Sequence, residues 1–234
     1  MHPKRVLIFR HTTGEGPGYF ATFLETHSVP YDLIKIDAGD PVPASAEGAA
    51  GLCFMGGPMS VNDDLPWIPP VLALIRDAVA RDIPVIGHCL GGQLMSKALG
   101  GTVIRNPVKE IGWGQVKVTD GAAKPWLGDT EQFEAFHWHV ETFSIPQGAI
   151  RILASEHCDN QAFVLGPHLG MQCHVEMTEA MIRLWCEQWA EENAAPSASV
   201  LTTAQIFDEM EERIRRMRNF SDRLYRHWIS GLAR

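Results

Sequence analysis

The sequence has little that would build a disulfide-stapled, membrane-spanning or nucleic-acid-coating protein. Five cysteines fall among 234 residues, an odd number at irregular spacing with no CxxC pair. That usage fits a reducing compartment and offers neither a disulfide framework nor a structural zinc site. No apolar run approaches the roughly 20 residues needed to cross a bilayer. Lys4-Arg5 lead straight into an apolar pattern with no cleavage-site signature, so the expectation is a cytoplasmic protein that does not associate with membranes. Basic surface is scarce as well: 20 Lys and Arg stand against 28 Asp and Glu, a net charge of −8. Apart from an Arg cluster near the C-terminus nothing would track a phosphate backbone, which argues against nucleic acid as a partner. Internal repeats and long low-complexity tracts are missing too. What is present is enough length to bury a full core and a composition suited to small-molecule chemistry.

Apolar runs at 5–10, 31–36, 51–55 and 83–86 read as strands. They alternate with helical spacing at Phe20, Phe23 and Leu24 and at Ile68, Leu72, Ile75 and Val79. That order predicts an α/β fold of three layers, a mostly parallel central sheet flanked by helices, with ligands beyond the strands' carboxyl ends. Between 102 and 162 the β-like pieces become short, at 115–119, 134–139 and 150–154, and predict a small mixed or antiparallel sheet. Strands at 162–165 and 169–173 form a hairpin that delivers His174, and a helix follows over 178–192. The domain so defined covers 1–192. An Ala/Pro/Ser linker at 193–199 precedes a helical extension over 200–234, striped by Ile206, Met210, Ile214, Met217, Leu224 and Trp228. Such a stripe either packs back on its own domain or serves docking or a homodimer.

The densest chemical signal lies at 85–93, where an apolar run ends in Gly87-His88-Cys89-Leu90-Gly91-Gly92-Gln93. A cysteine framed by glycines two places either side is the sequence form of a nucleophile elbow. Its sharp strand-to-helix turn strains the central residue, and Gly87 and Gly91 let backbone and helix approach closely. The helix from Leu90 presents unpaired N–H groups to the sulfur, which favours the reactive thiolate. Cys53 and Cys186 lie in apolar settings that read as packing, Cys158 has no recognisable context, and Cys173 merely adjoins His174.

A cysteine nucleophile needs a base, and His174 stands at a strand end with Glu176 two residues on. Together they complete a Cys–His–Glu relay in which His174 moves protons and Glu176 fixes its tautomer. Oxyanion donors are expected from the backbone N–H groups of Gly57, in Gly56-Gly57-Pro58, and of Leu90. His137, His139 and Glu141 would share one side of a strand, which is also how a two-His-one-carboxylate metal site looks; in a loop they would line a substrate pocket instead. His2, His11, His27, His88, His157, His168 and His227 have no sequence partner that lifts them above surface or packing roles.

Four ordered segments, Gly56–Ser60, Gly87–Gln93, His137-Trp138-His139 and Met171–Glu176, together resemble the class I glutamine amidotransferases, in their free-standing, GMP-synthase-like branch. The resemblance spans about residues 5–190. It implies a flavodoxin-like fold and a Cys89–His174–Glu176 triad that cleaves glutamine or another γ-glutamyl compound through a γ-glutamyl thioester and releases ammonia. It places Gly57 and Leu90 at the oxyanion and Gln93, Trp138 and His139 at the substrate. It calls for no cofactor and no metal, and it leaves three outcomes: a separate acceptor or synthetase subunit, a stand-alone γ-glutamyl hydrolase, or a non-catalytic regulatory module. The family's usual Phe-His-Pro-Glu reads Cys173-His174-Val175-Glu176 here, which keeps the catalytic groups but stiffens the turn differently.

Overall fold

Strand β1 (Arg5–Arg10) sends Val6 and Ile8 to one face of a sheet and Phe9 to the other, and the same alternation recurs along its neighbours. The computed structural model describes residues 3–232. After α1 (Gly18–Thr26) come β2 (Tyr31–Lys35) and β3 (Ala49–Phe54), then α2 (Ile68–Ala80), β4 (Val85–His88) and α3 (Leu90–Ala98). Next are β5 (Val103–Val118), the single turn α4 (Lys124–Leu127), β6 (Gln132–Phe143), β7 (Ile150–Ser155), β8 (Ala162–Leu165) and β9 (His168–Met171). Three helices close the chain: α5 (Glu179–Gln188), α6 (Thr203–Phe207) and α7 (Met210–Ser230). Among the described residues no helix is long and apolar enough to cross a membrane.

The strands form one nine-stranded sheet in the order β2-β1-β3-β4-β9-β8-β7-β5-β6. The first five are parallel, and the ladders from β9 to β6 are antiparallel. The antiparallel strands expected as a separate small sheet therefore continue the central one, because β9 pairs parallel to β4 on one edge and antiparallel to β8 on the other. One face is covered by α1 and the second half of α7, with Phe20, Phe23, Leu224, Tyr225 and Trp228 in its core. The other face is covered by α2 and α3 through Val71, Leu74, Ile75, Leu90, Leu94 and Met95.

Two strands are longer than the sequence pattern predicts. β5 runs 16 residues where only 115–119 reads as a strand, because Pro107 falls in a register shift between Arg105 and Glu110. A proline is tolerated there since the bulge needs no ladder N–H. Its partner β6 is extended in step over 12 residues. Conversely α5 stops at Gln188, short of 192, as Trp189 leaves helical geometry and turns its ring onto Trp138 and Trp185.

The C-terminal stripe packs on its own domain. Ile206, Met210, Ile214, Met217, Leu224 and Trp228 are all buried, which leaves none of the stripe for a second copy. The segment 193–199 is likewise docked rather than free: Ser199 O accepts from Ile111 N at 2.9 Å and Asn193 Nδ2 donates to Thr203 Oγ1 at 3.0 Å.

Candidate active site

Three parallel strands end side by side, and each releases one chemical group at its carboxyl end. Register pairs Phe54 with Gly87 and His88 with Met171, so the turn at Gly56-Gly57, Cys89 and the segment ending at His174 emerge at one edge. Cys89 sits at φ 51°, ψ −108°, a left-handed conformation rare for a residue with a side chain. Its N–H is held by Met171 O at 2.8 Å. Close approach explains the flanking glycines: a Cβ on Gly87 would lie 2.4 Å from Gly91 C, and one on Gly91 would lie 2.0 Å from Phe54 O.

His174 is fixed through its backbone by a two-way bridge to Phe136, at 2.8 and 3.1 Å. Its Nδ1 faces Glu176 Oε1 at 2.6 Å, and the other carboxylate oxygen accepts from Val175 N at 2.9 Å. Burial alone would strip a proton from His174, but the Glu176 carboxylate and the Cys89 sulfur outweigh it and raise its pKa well above the ordinary imidazole value. Burial opposes the charge on Glu176 as well. His174 and then His88 overcome that penalty and hold its pKa down at about 2. Nε2 of His174 is buried and, among the described residues, has no hydrogen-bond partner. The Cys89 sulfur nonetheless lies close enough to help raise the ring's pKa.

The Gly57 turn lies against the Leu90 side chain, and Leu90 begins α3. Among the described residues neither N–H donates within the chain. His11 lies beneath this turn with Nδ1 3.0 Å from Met55 O. His11, His88 and His168 thus have partners that sequence does not reveal: His88 Nε2 is 3.0 Å from Tyr225 Oη on α7 and 3.9 Å from Glu176, and His168 accepts from Val85 N at 3.2 Å. His2 lies outside the described residues.

A cleft of about 380 Å³ opens over Cys89 and His174 and is lined by Gly57, Gln93, Trp138 and His139, four of the five residues sequence assigns to oxyanion and substrate; the fifth, Leu90, is fully buried and does not line it. Gln93 reaches Cys89 through one intermediary: its Nε2 donates to Gln172 Oε1 at 3.1 Å, and Gln172 Nε2 donates to the sulfur at 3.5 Å. Trp138 Nε1 donates to Glu192 Oε2 at 3.0 Å. Both ring nitrogens of His139 already meet oxygen, Glu141 O and Glu110 Oε2, each at 3.0 Å.

The set of His137, His139 and Glu141 is not what the fold assembles. Glu141 turns to the cleft and accepts from Ser60 Oγ at 3.0 Å, while Glu110 of β5 joins the two histidines, with ligand-type atoms within 4.8 Å of one another. His139 and Glu110 are satisfied by hydrogen bonds within the chain, whereas among the described residues His137 Nδ1 is buried without a partner. Glu110 accepts from Ser155 and Gln161 at 2.7 Å each besides facing His139. Although burial pushes the other way, His139, His137 and Ser155 hold the Glu110 pKa down at about 2.

Sequence reading missed Glu15, Arg105 and Glu192 in the cleft wall, and Gln172 beside the sulfur. Glu15 had one usable signal, an acid between glycines in a loop after a strand's carboxyl end; Arg105 and Glu192 come from distant segments that only the tertiary fold brings in.

Burial lowers the pKa of His11 and His137 to about 4. Both rings bind their proton more weakly folded than unfolded, where the value is about 6.5. Stability should therefore be full above about pH 6.5 and fall as pH drops toward 4, by roughly 3 kcal/mol per ring. Glu15 and His174 work in the opposite direction, since their raised pKa favours the folded state at lower pH, and His168, also lowered to about 4, adds to the two rings. Urea unfolding at pH 7.5 and 5.0 should show the lower midpoint at pH 5.0; an unchanged or higher midpoint contradicts the assignment of neutral buried rings.

Comparison with known proteins gives a consistent picture. The family model for glutamine amidotransferase class-I matches residues 21–181. A glutamine amidotransferase-like protein of Salmonella typhimurium is 30% identical over 182 residues, 74% of this chain and 76% of that protein. The crystal structure of a glutamine amido transferase from Methylobacillus flagellatus superposes with a TM-score of 0.96 at 46% identity, over 99% of this chain and 96% of that one. A glutamine-hydrolyzing GMP synthase of Lacticaseibacillus casei is 30% identical over 135 residues, which are 54% of this chain but only 24% of that protein.

Proposed function

Since the chain belongs to the class I glutamine amidotransferase family, we propose that it hydrolyses the side-chain amide of glutamine, or of a close γ-glutamyl relative, by a Cys89–His174–Glu176 triad. The observation that carries this reading is the pairing of a strained Cys89 with a His174 whose Nδ1 is clamped by Glu176 at 2.6 Å while, among the described residues, Nε2 is left without a partner.

The steps follow from those groups. His174 takes the thiol proton and Cys89 Sγ attacks the γ-carbonyl carbon. The carbonyl oxygen becomes an oxyanion held by the Gly57 and Leu90 N–H groups, a backbone arrangement of the kind worth roughly 3 to 4 kcal/mol per donor. The carbon–nitrogen bond breaks as His174 returns its proton to the departing nitrogen, which leaves as ammonia. Water, deprotonated by His174, then attacks the γ-glutamyl thioester and glutamate departs with the thiol restored. Glutamine and water thus become glutamate and ammonia. Glu176 keeps Nε2 directed to the chemistry throughout.

An acceptor subunit is supported by the GMP synthase relative, in which the matched segment is a minor part of a longer protein. Action without one is supported by relatives of comparable length. Ammonia release from glutamine and a panel of γ-glutamyl amides, measured with the chain alone and with candidate synthetase subunits, separates them. Turnover of at least one substrate is expected. Silence on all of them under both conditions would overturn the proposal and leave a regulatory module.

A further inference from the structure

Among the described residues, Glu15 is the one buried acid lining the cleft, and the triad mechanism does not use it. It stands in the loop Gly14-Glu15-Gly16-Pro17 beyond β1, where Glu15 N donates to Thr12 O at 3.2 Å. Trp185 Nε1 pins the loop through Gly14 O at 2.9 Å, and the same indole packs edge-on against His174 with ring centres 5.0 Å apart. The loop and the catalytic base are thus held by one side chain.

Glu15 as a residue is only 5% exposed, and it lines the cleft. Among the described residues its oxygens make neither a hydrogen bond nor an ion pair. Those oxygens are reached from the cleft, so a bound molecule that displaces water from them is favoured only where it supplies a hydrogen bond in its place. Position says which part of the substrate it meets. A Cβ on Gly56 would stand 2.0 Å from Glu15 Oε2 and 3.3 Å from His174 Cε1, so acid and imidazole crowd the same point, and Gly56 must lack a side chain to admit them. Glu15 therefore lies at the reacting end of the cleft.

We infer that Glu15 is a specificity residue for the leaving group: one of its oxygens accepts a hydrogen bond from the scissile carboxamide N–H and selects amides over γ-glutamyl compounds that lack it. The inference rests on the proposed hydrolysis. It is consistent with the acid's protonation: burial first, and Glu176 with it, push its pKa up to about 8 against the pull of His174, so the neutral acid, which still offers a carbonyl acceptor, predominates at pH 7.

Glutamine and glutamate γ-methyl ester separate this role from others, because the ester forms the same thioester but has no N–H at the leaving group. With Glu15→Ala, kcat/KM for glutamine should fall about 10- to 100-fold while that for the ester stays within about threefold. Glu15→Gln, which retains a carbonyl acceptor, should recover most of the glutamine activity. Equal losses on both substrates, or no loss on glutamine, would overturn the inference while leaving the proposed hydrolysis intact. Absence of wild-type turnover on both would instead remove the hydrolysis, and this role with it.

Discussion

Replacing Cys89 with alanine should lower glutamine turnover by about 10⁴-fold or more, with the fold retained. Loss of a nucleophile from a triad removes the covalent route entirely, and what remains is the modest effect of binding and oxyanion donors. Alanine keeps the backbone at φ 51° and opens little space, since Cys89 is already at the cleft surface with 7% exposure. Glycine at the same position should be equally inactive but more stable by up to about 1 kcal/mol, because it relieves the left-handed strain that a Cβ imposes. Ammonia release and thermal melting on the three proteins check both parts. Substantial turnover by the alanine variant would exclude Cys89 as nucleophile, and a less stable glycine variant would mean the elbow stores no strain.

Ending the chain after Ser199 should leave no cooperatively folded protein. The removed segment supplies Ile206, Met210, Ile214, Met217, Leu224, Tyr225 and Trp228, all buried and divided between two of the three core clusters. At roughly 1.5 to 3 kcal/mol for each side chain the loss amounts to about 10 to 20 kcal/mol, as large as the whole stability of a typical domain. Two polar anchors go with it. Ser221 Oγ donates to Val175 O at 2.6 Å, between His174 and Glu176, and Tyr225 Oη lies 3.0 Å from His88. Expression of residues 1–199 should yield insoluble material or a broad, non-cooperative melt. A soluble fragment melting near the full-length temperature would show that α6 and α7 merely lie on the surface of the domain. Trp228→Ala is the milder companion, expected to cost about 3 to 5 kcal/mol.

The parallel half of the fold is legible because its signals are local. Gly87 and Gly91 announce a close contact between neighbours in sequence, and the strands on either side carry unbroken apolar runs. The antiparallel half hides because Pro107 and Gly112 look like strand breakers, and only the bulge and the ladder to β6 show how β5 passes through them. The C-terminal stripe shows its amphipathic pattern in sequence but not which surface covers it. In the site, Cys89, His174 and Glu176 are readable from motif order, whereas Glu110 beside His139 and His88 beside Tyr225 join positions 29 and 137 residues apart. Glu15 is the hardest case, since a lone acid in a glycine loop acquires meaning only when the fold sets it beside His174.

The most direct measurement is mass spectrometry of the protein quenched in acid during steady-state turnover of glutamine, followed by peptide mapping of all five cysteines. Hydrolysis through a thioester predicts an adduct of one γ-glutamyl unit, labile to hydroxylamine, on the peptide that contains Cys89, and no adduct in Cys89→Ala. An adduct on Cys53, Cys158, Cys173 or Cys186, or turnover with no adduct on any cysteine of the wild type, would contradict it.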